Sequence, residues 1–147
     1  MDQIEQARGD PGSRIAASGA DRELEQLLER FADAWNRHDV DALMSMMTED
    51  GVFHASAGGS VDGERHEGRR AVRAAYEAVF AQYPDAHWGG ARHFVRGDRG
   101  VSEWTFTGTT RDGVRVEVDG CDLFTFSNGR IAVKNSFRKN RPSSQLA

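Results

Sequence analysis

The chain changes its hydrophobic period once, at Pro84, and that switch limits what it can fold into more than any other feature. Upstream, Leu24, Leu27, Leu28, Phe31 and Trp35 recur at i, i+3, i+4, i+7 and i+11, one face of a helix from about Asp21 to Arg37. Ser18 and Asp21 fit a capping box ahead of it. Asn36-Arg37-His38-Asp39 breaks this helix, and Asp39 can cap a short second one with Leu43, Met46 and Met47 inward. Asp50-Gly51 ends that one, 52–55 reads as a short strand, and the Gly- and Ser-rich segment 56–68 reads as a loop. Val72, Ala75, Tyr76, Val79, Phe80 and Tyr83 mark a third helix, stopped by Pro84-Asp85.

Downstream, turn signals at Gly97-Asp98-Arg99-Gly100, Arg111-Asp112-Gly113 and Ser127-Asn128-Gly129 divide the chain into strands over 87–96, 101–110, 114–126 and 130–139. Helices followed by a consecutive antiparallel meander predict an α+β fold, with helices on one face of a curved sheet. With 147 residues, 38% of them hydrophobic, one core is expected, in a single domain over 18–139. Residues 1–17 and 140–147 have no apolar period and read as flexible tails.

Charge and composition narrow the function. A net charge of −4 argues against nucleic acid as a partner. Apolar runs of only a few residues argue against a membrane-spanning helix, and the first twenty residues lack the apolar stretch of a secretory signal. Cys121 is the only cysteine, so no disulfide within the chain and no multi-cysteine zinc site can form. No phosphate loop, nucleotide fingerprint or paired metal ligands occur, so no cofactor and no metal are expected. The expected location is the cytoplasm.

Strand alternation selects the polar residues of interest. Along 116–126 one face reads Val116, Val118, Gly120, Asp122, Phe124, Phe126. Asp122 is the single carboxylate on an apolar face, a costly place for charge unless it is hydrogen-bonded or paired. Such a residue serves structure about as often as chemistry. If Asp98-Arg99 is a two-residue hairpin loop, His93 lies opposite Trp104, on a face with His87, Ala91, Val95, Ser102 and Phe106. His93 suits proton shuttling near neutral pH; His87 reads better as a partly exposed strand-start histidine. Gly89-Gly90 can bulge this strand and shift the alternation. The last hairpin has two readings. A two-residue Asn128-Gly129 turn puts Asp122 opposite Asn135, and the alternation of Ile131, Val133 and Phe137 favours it. A three-residue turn ending in a bulge puts Asp122 opposite Lys134, with Lys134, Ser136 and Arg138 inward. His38 and Asp39 read as capping and surface residues, His54 as facing away from Phe53 and Ala55, and His66 as part of the loop.

Several segments carry a family resemblance: Phe31-Ala32-Asp33-Ala34-Trp35-Asn36-Arg37-His38-Asp39, Glu49-Asp50-Gly51-Val52-Phe53-His54, Glu67-Gly68-Arg69-Arg70-Ala71-Val72-Arg73, Trp104-Thr105-Phe106-Thr107-Gly108-Thr109 and Asp122-Leu123-Phe124-Thr125-Phe126-Ser127-Asn128-Gly129-Arg130-Ile131. Their order and spacing, over about Leu24 to Arg138, resemble the nuclear transport factor 2-like superfamily, and within it the SnoaL-like polyketide cyclases and ketosteroid isomerases. The resemblance implies a cone-shaped α+β barrel, its helices closing the concave face of a mostly antiparallel sheet around one deep pocket. It places Asp122 where ketosteroid isomerases keep a protonated Asp and SnoaL-like cyclases an acid/base Asp. It also favours the second reading of the last hairpin. Phe31 and Ala55 stand where the isomerases have their oxyanion-binding Tyr and general-base Asp, so a steroid double-bond shift by that route is not expected. Dehydratases and dehalogenases of the superfamily use a His near His93.

These readings lead to an expected cofactor-free acid/base enzyme on a small apolar or polycyclic carbonyl compound, performing aldol-type cyclisation, isomerisation or dehydration. Asp122, His93 and Lys134 are the expected catalytic residues. Trp35, Tyr76, Trp104, Phe106, Phe124 and Arg138 are expected to hold the substrate. A non-catalytic binding module on the same fold is the alternative. Superfamily members often pair through outer sheet surfaces, so a homodimer is expected.

Overall fold

The computed structural model describes residues 18–142. The expected tail over 1–17, and residues 143–147 of the tail expected over 140–147, lie outside the described residues. The elements run α1 (Gly19–Asn36), α2 (Val40–Ser45), β1 (Met47–His54), β2 (Arg65–Glu67), α3 (Arg69–Gln82), β3 (His87–Arg96), β4 (Arg99–Thr109), β5 (Arg115–Ser127) and β6 (Arg130–Arg138). The six strands form one sheet in the order β2-β1-β6-β5-β4-β3. Every neighbouring pair is antiparallel except β1 and β6.

Local chemistry sets the helix boundaries. Ser18 Oγ accepts from the Asp21 amide and the Asp21 carboxylate accepts from the Ser18 amide, closing the capping box of α1. The helix stops where His38 adopts a left-handed φ of 54°. Asp39 then caps α2 by accepting from the Ala42 amide. Leu27, Leu28, Phe31 and Trp35 of α1 are buried against Phe124, Phe126 and Ile131 of the sheet. Burying each of these large side chains contributes about 1.5–3 kcal/mol.

Four details differ from the sequence reading. Strand β1 begins at Met47, whose backbone pairs with Ile131, so it is longer than 52–55. The Gly- and Ser-rich segment returns as the short strand β2, which places His66 opposite Phe53. An all-polar Arg-His-Glu strand on a sheet edge carries no apolar alternation to detect. The β3–β4 turn is Gly97-Asp98, because Gly97 takes the positive φ of 60°. His93 therefore lies opposite Ser102, not Trp104. A bulge between Gly89 and Arg92 reverses the phase of β3, turning Trp88 inward and leaving His87 exposed.

The fourth difference lies in the β5–β6 hairpin. Asn128 and Gly129 both have positive φ, 52° and 74°, as a two-residue type I′ turn requires. Ser127 pairs Arg130 and Phe126 pairs Ile131, but Thr125 then pairs Val133. Ala132 is an extra residue, and the shift puts Asp122 opposite Ser136. Both expected pairings, with Asn135 and with Lys134, are corrected. Yet Lys134 still turns inward, because the bulge inverts the alternation of everything after it.

Candidate active site

The inner face of the sheet carries a row of polar side chains across four adjacent strands. His93 on β3 lies opposite Ser102 on β4, Ser102 opposite Asp122 on β5, and Asp122 opposite Ser136 on β6. Lys134, two residues before Ser136, points the same way. Ser102, Asp122 and Lys134 are all buried.

Asp122 accepts from three donors. Ser136 Oγ donates to Oδ1 at 2.5 Å, Lys134 Nζ lies 3.2 Å from the same oxygen, and Trp104 Nε1 donates to Oδ2 at 2.9 Å. The tryptophan reaches it because Trp104 pairs with Gly120. A Cβ at Gly120 would stand 2.5 Å from the indole ring, so only glycine leaves room for the ring to lie there. Lys134 Nζ also donates to Ser136 Oγ at 2.8 Å and sits 4.6 Å from the ring centre of Phe53 and 5.0 Å from that of Trp35. Aromatic faces attract the ammonium where water is excluded.

Two cavities flank this row. The larger, of about 710 Å³, lies between α3 and the sheet. Ala71, Ala74, Ala75 and Ala78 of α3 form one wall; Trp88, Trp104 and Phe106 form the other, with Lys134, Ser136 and Arg138 along β6. The smaller, of about 30 Å³, lies between α1 and the sheet. His93, Ser102, Asp122 and Lys134 line it together with Leu28, Phe31 and Phe124. Trp35, Trp88, Trp104 and Lys134 form the wall common to both. Asp122 itself borders only the small one.

The expected site residues thus divide. Asp122, Lys134 and His93 meet at the small cavity, with Trp35, Trp104 and Phe124. Trp35, Trp104, Phe106, Lys134 and Arg138 line the large one. Tyr76 lines neither. It is buried beneath Trp35 and Phe53, and its hydroxyl donates to the Met47 sulfur at 3.0 Å. Burial, reinforced by the nearby Asp122 charge, pushes the Tyr76 phenol well above the usual tyrosine range. His93 Nδ1 is 2.7 Å from Ser102 Oγ. Burial lowers the His93 imidazolium below its ordinary value, opposed by the charges of Glu29 and Glu25 on α1.

The sequence reading placed Ser102 and Ser136 on inward faces without giving either a role, and only the ladder register brings them to Asp122. His66 lines the large cavity and stacks on Phe53, their ring centres 5.7 Å apart, through a strand the sequence did not disclose. His38 Nε2 contacts the Ala86 carbonyl at 2.8 Å, away from the row, and His54 points toward Asp62. Among the described residues no three His, Cys, Asp or Glu side chains converge as a metal site requires, and no helix is long and apolar enough to cross a membrane.

A curved sheet whose helices enclose a pocket, with an acidic residue on its inner face, defines an NTF2-like cone fold. Residues 28–134 match the model of the SnoaL-like domain, and the chain belongs to that family. Among solved structures, it is similar to a candidate polyketide cyclase from Xanthomonas campestris (TM-score 0.74, 17% identity, covering 87% of this chain and 96% of that one). A candidate SnoaL-like polyketide cyclase from Jannaschia sp. CCS1 superposes with a TM-score of 0.72 at 20% identity, covering 84% of this chain and 90% of its own. An NTF2-like protein of unknown function from Mesorhizobium loti shares 27% identity with a TM-score of 0.71, covering 85% and 98%. No curated protein matches the chain.

Proposed function

We propose that this chain is a cofactor-free acid/base enzyme acting on a small apolar carbonyl compound. The observation that carries this reading is the buried Lys134–Asp122 pair in the wall between a large cavity and a small one. A buried ion pair contributes little net stability relative to apolar side chains of the same volume, so folding alone gives little reason to keep it. Candidate polyketide cyclases among the structural relatives support the same class.

The substrate's apolar body lies between the alanine face of α3 and Trp88, Trp104 and Phe106, with its carbonyl oxygen at Lys134 Nζ. Removal of a proton from the adjacent carbon leaves negative charge on that oxygen, which the ammonium stabilises in a site shielded from water. Ser136 Oγ takes the carbon-bound proton as its own proton passes to Asp122 Oδ1, along the hydrogen bond already formed. The enolate then attacks an internal carbonyl, shifts its double bond or expels a hydroxyl. Asp122 and Lys134 together supply the proton transfers these steps need.

Deuterium incorporation next to the carbonyl of 2-tetralone, followed by NMR in heavy water, tests this reading. The wild-type protein is expected to exceed the buffer rate, and folded Asp122→Asn to lose about 10²–10⁴-fold of it, beyond any loss of folded protein from leaving Lys134 unpaired. An Asp122→Asn protein that unfolds early yet, when folded, exchanges at the wild-type rate would make Asp122 structural. No exchange above buffer by a wild-type protein saturated with the ketone would refute the reading.

A further inference from the structure

The small cavity is too small for any substrate, yet His93, Ser102, Asp122 and Lys134 all border it. Water needs roughly 10–15 Å³ of accessible volume and two to four polar partners. This cavity has about 30 Å³, bordered by Ser102, Asp122 and Lys134. Leu28 and Phe31 close it on the helix side and Phe124 on the sheet. Ser102 has a second reason to draw notice. It is buried, its hydroxyl meets His93 Nδ1 at 2.7 Å, and its backbone lies directly opposite Asp122. His93 is only half-buried, on the edge strand β3. The charged groups around this path are Glu25 and Glu29 of α1, Asp122 of β5 and Lys134 of β6.

We propose that this row is a proton wire, in which one water in the small cavity joins Asp122 to Ser102 and His93 exchanges the proton with solvent. The proposal rests on the acid/base reading of Asp122 and adds what that reading lacks, a route by which the loaded carboxyl is cleared without opening the substrate cavity. Protonated Asp122 gives its proton to the water, which releases one of its own to Ser102 Oγ. Ser102 passes its hydroxyl proton to His93 Nδ1. Asp122 is again a carboxylate, the water and the serine are restored, and His93 is an imidazolium open to solvent exchange. The same steps in reverse return a proton for the second half of a catalytic cycle. His93 acts through Asp122 and is a relay residue, which does not touch the substrate.

Two measurements test the wire. The first needs no activity: magnetisation transfer from water to the Trp104 Nε1–H, which reports on Asp122 through its hydrogen bond. A resident water in the cavity gives a cross-peak at that indole proton, and a dry cavity overturns the proposal. The second is deuterium wash-in to 2-tetralone. His93→Ala is expected to lower it at least tenfold at neutral pH, because Asp122 then hands the same proton back. Imidazole in the buffer is expected to restore part of the rate, and His93→Gln guards against a folding defect in the alanine variant. Wash-in that Asp122→Asn abolishes but both His93 variants leave unchanged overturns the wire alone. No wash-in by the wild-type protein overturns the acid/base reading, and the wire with it.

Discussion

The two helices that flank the sheet treat it in opposite ways. Helix α1 presents Leu28, Phe31 and Trp35 and fills almost all the space before it, leaving about 30 Å³. Helix α3 presents Ala71, Ala74, Ala75 and Ala78 and leaves about 710 Å³. Buried Asp122 and the buried serine of its row border the filled side, while substrate-sized space lies on the open side. Lys134 and the tryptophans between them belong to both. Cavity volume by itself therefore does not locate the chemistry here. The two sides share a partition with a buried ion pair in it, and on the proposed reading side-chain size on two helices decides which side a ligand enters.

If that division is right, similar substitutions on the two sides must have unlike effects. Phe31→Ala should cost about 3–5 kcal/mol in chemical denaturation, since it empties a close-packed position. A loss below about 1 kcal/mol would mean that the α1 side is not tightly filled. Lys134→Met tests the partition itself. Removing the cation strands a buried carboxylate and should cost about 3–5 kcal/mol, whereas the double variant Lys134→Met with Asp122→Leu should recover most of that. Additive losses in the double variant would deny that the two charges form a unit. On the open side, Ala75→Leu should change stability by less than about 1 kcal/mol, because it grows into empty space. It should weaken binding of 2-tetralone about tenfold, a change of ~1.4 kcal/mol. Unchanged binding by calorimetry would place the ligand elsewhere.

The smallest expected effect concerns pH. Burial holds the folded-state pKa of His93 below its unfolded value of about 6.5. The unfolded chain then binds more protons below that pH, so this contribution is complete above about pH 6.5 and is lost as pH falls through it. His93→Gln should flatten the decline in melting temperature between about pH 6.5 and 5. A decline as steep as in the wild-type protein would show that other groups cause it.

Much of this architecture is readable in the sequence because long periodic segments state their structure directly. The faces of α1 and α3, the capping box at Ser18 and the inward aspect of Asp122 all follow from spacing. What escaped was decided by single residues. Gly97 entering the β3–β4 turn, Gly90 in the β3 bulge and Ala132 in the β6 bulge each move a ladder by one position. One position turns a side chain to the other face. Hence Ser102 and Trp104 exchanged places as the partner of His93, and the apolar alternation of Ile131, Val133 and Phe137 misled, since Phe137 is half-exposed on the outside. The two serines of the site were placed on inward faces, but their pairing with Asp122 could not be found without the true register. Its aspartate could, because a charge on an apolar strand stands out under either reading of the hairpin, whereas its lysine faced inward only under the second.

The bulge at Ala132 behaves as a dislocation does in a crystal: the lattice is regular on both sides, but its phase slips at one point. Ile131 before it and Lys134 after it both face the interior, though they stand three positions apart. The buried lysine is thus delivered by a defect, and length, more than residue identity, is what keeps it there. An unbulged β6 of the same composition would aim Asn135 and Phe137 at Asp122's face and turn Lys134, Ser136 and Arg138 outward. One inserted or deleted residue beyond the bulge would exchange a cationic lining for a neutral one in a single step, with every side chain unaltered. On this scaffold a change of chemistry can therefore begin as a change of count.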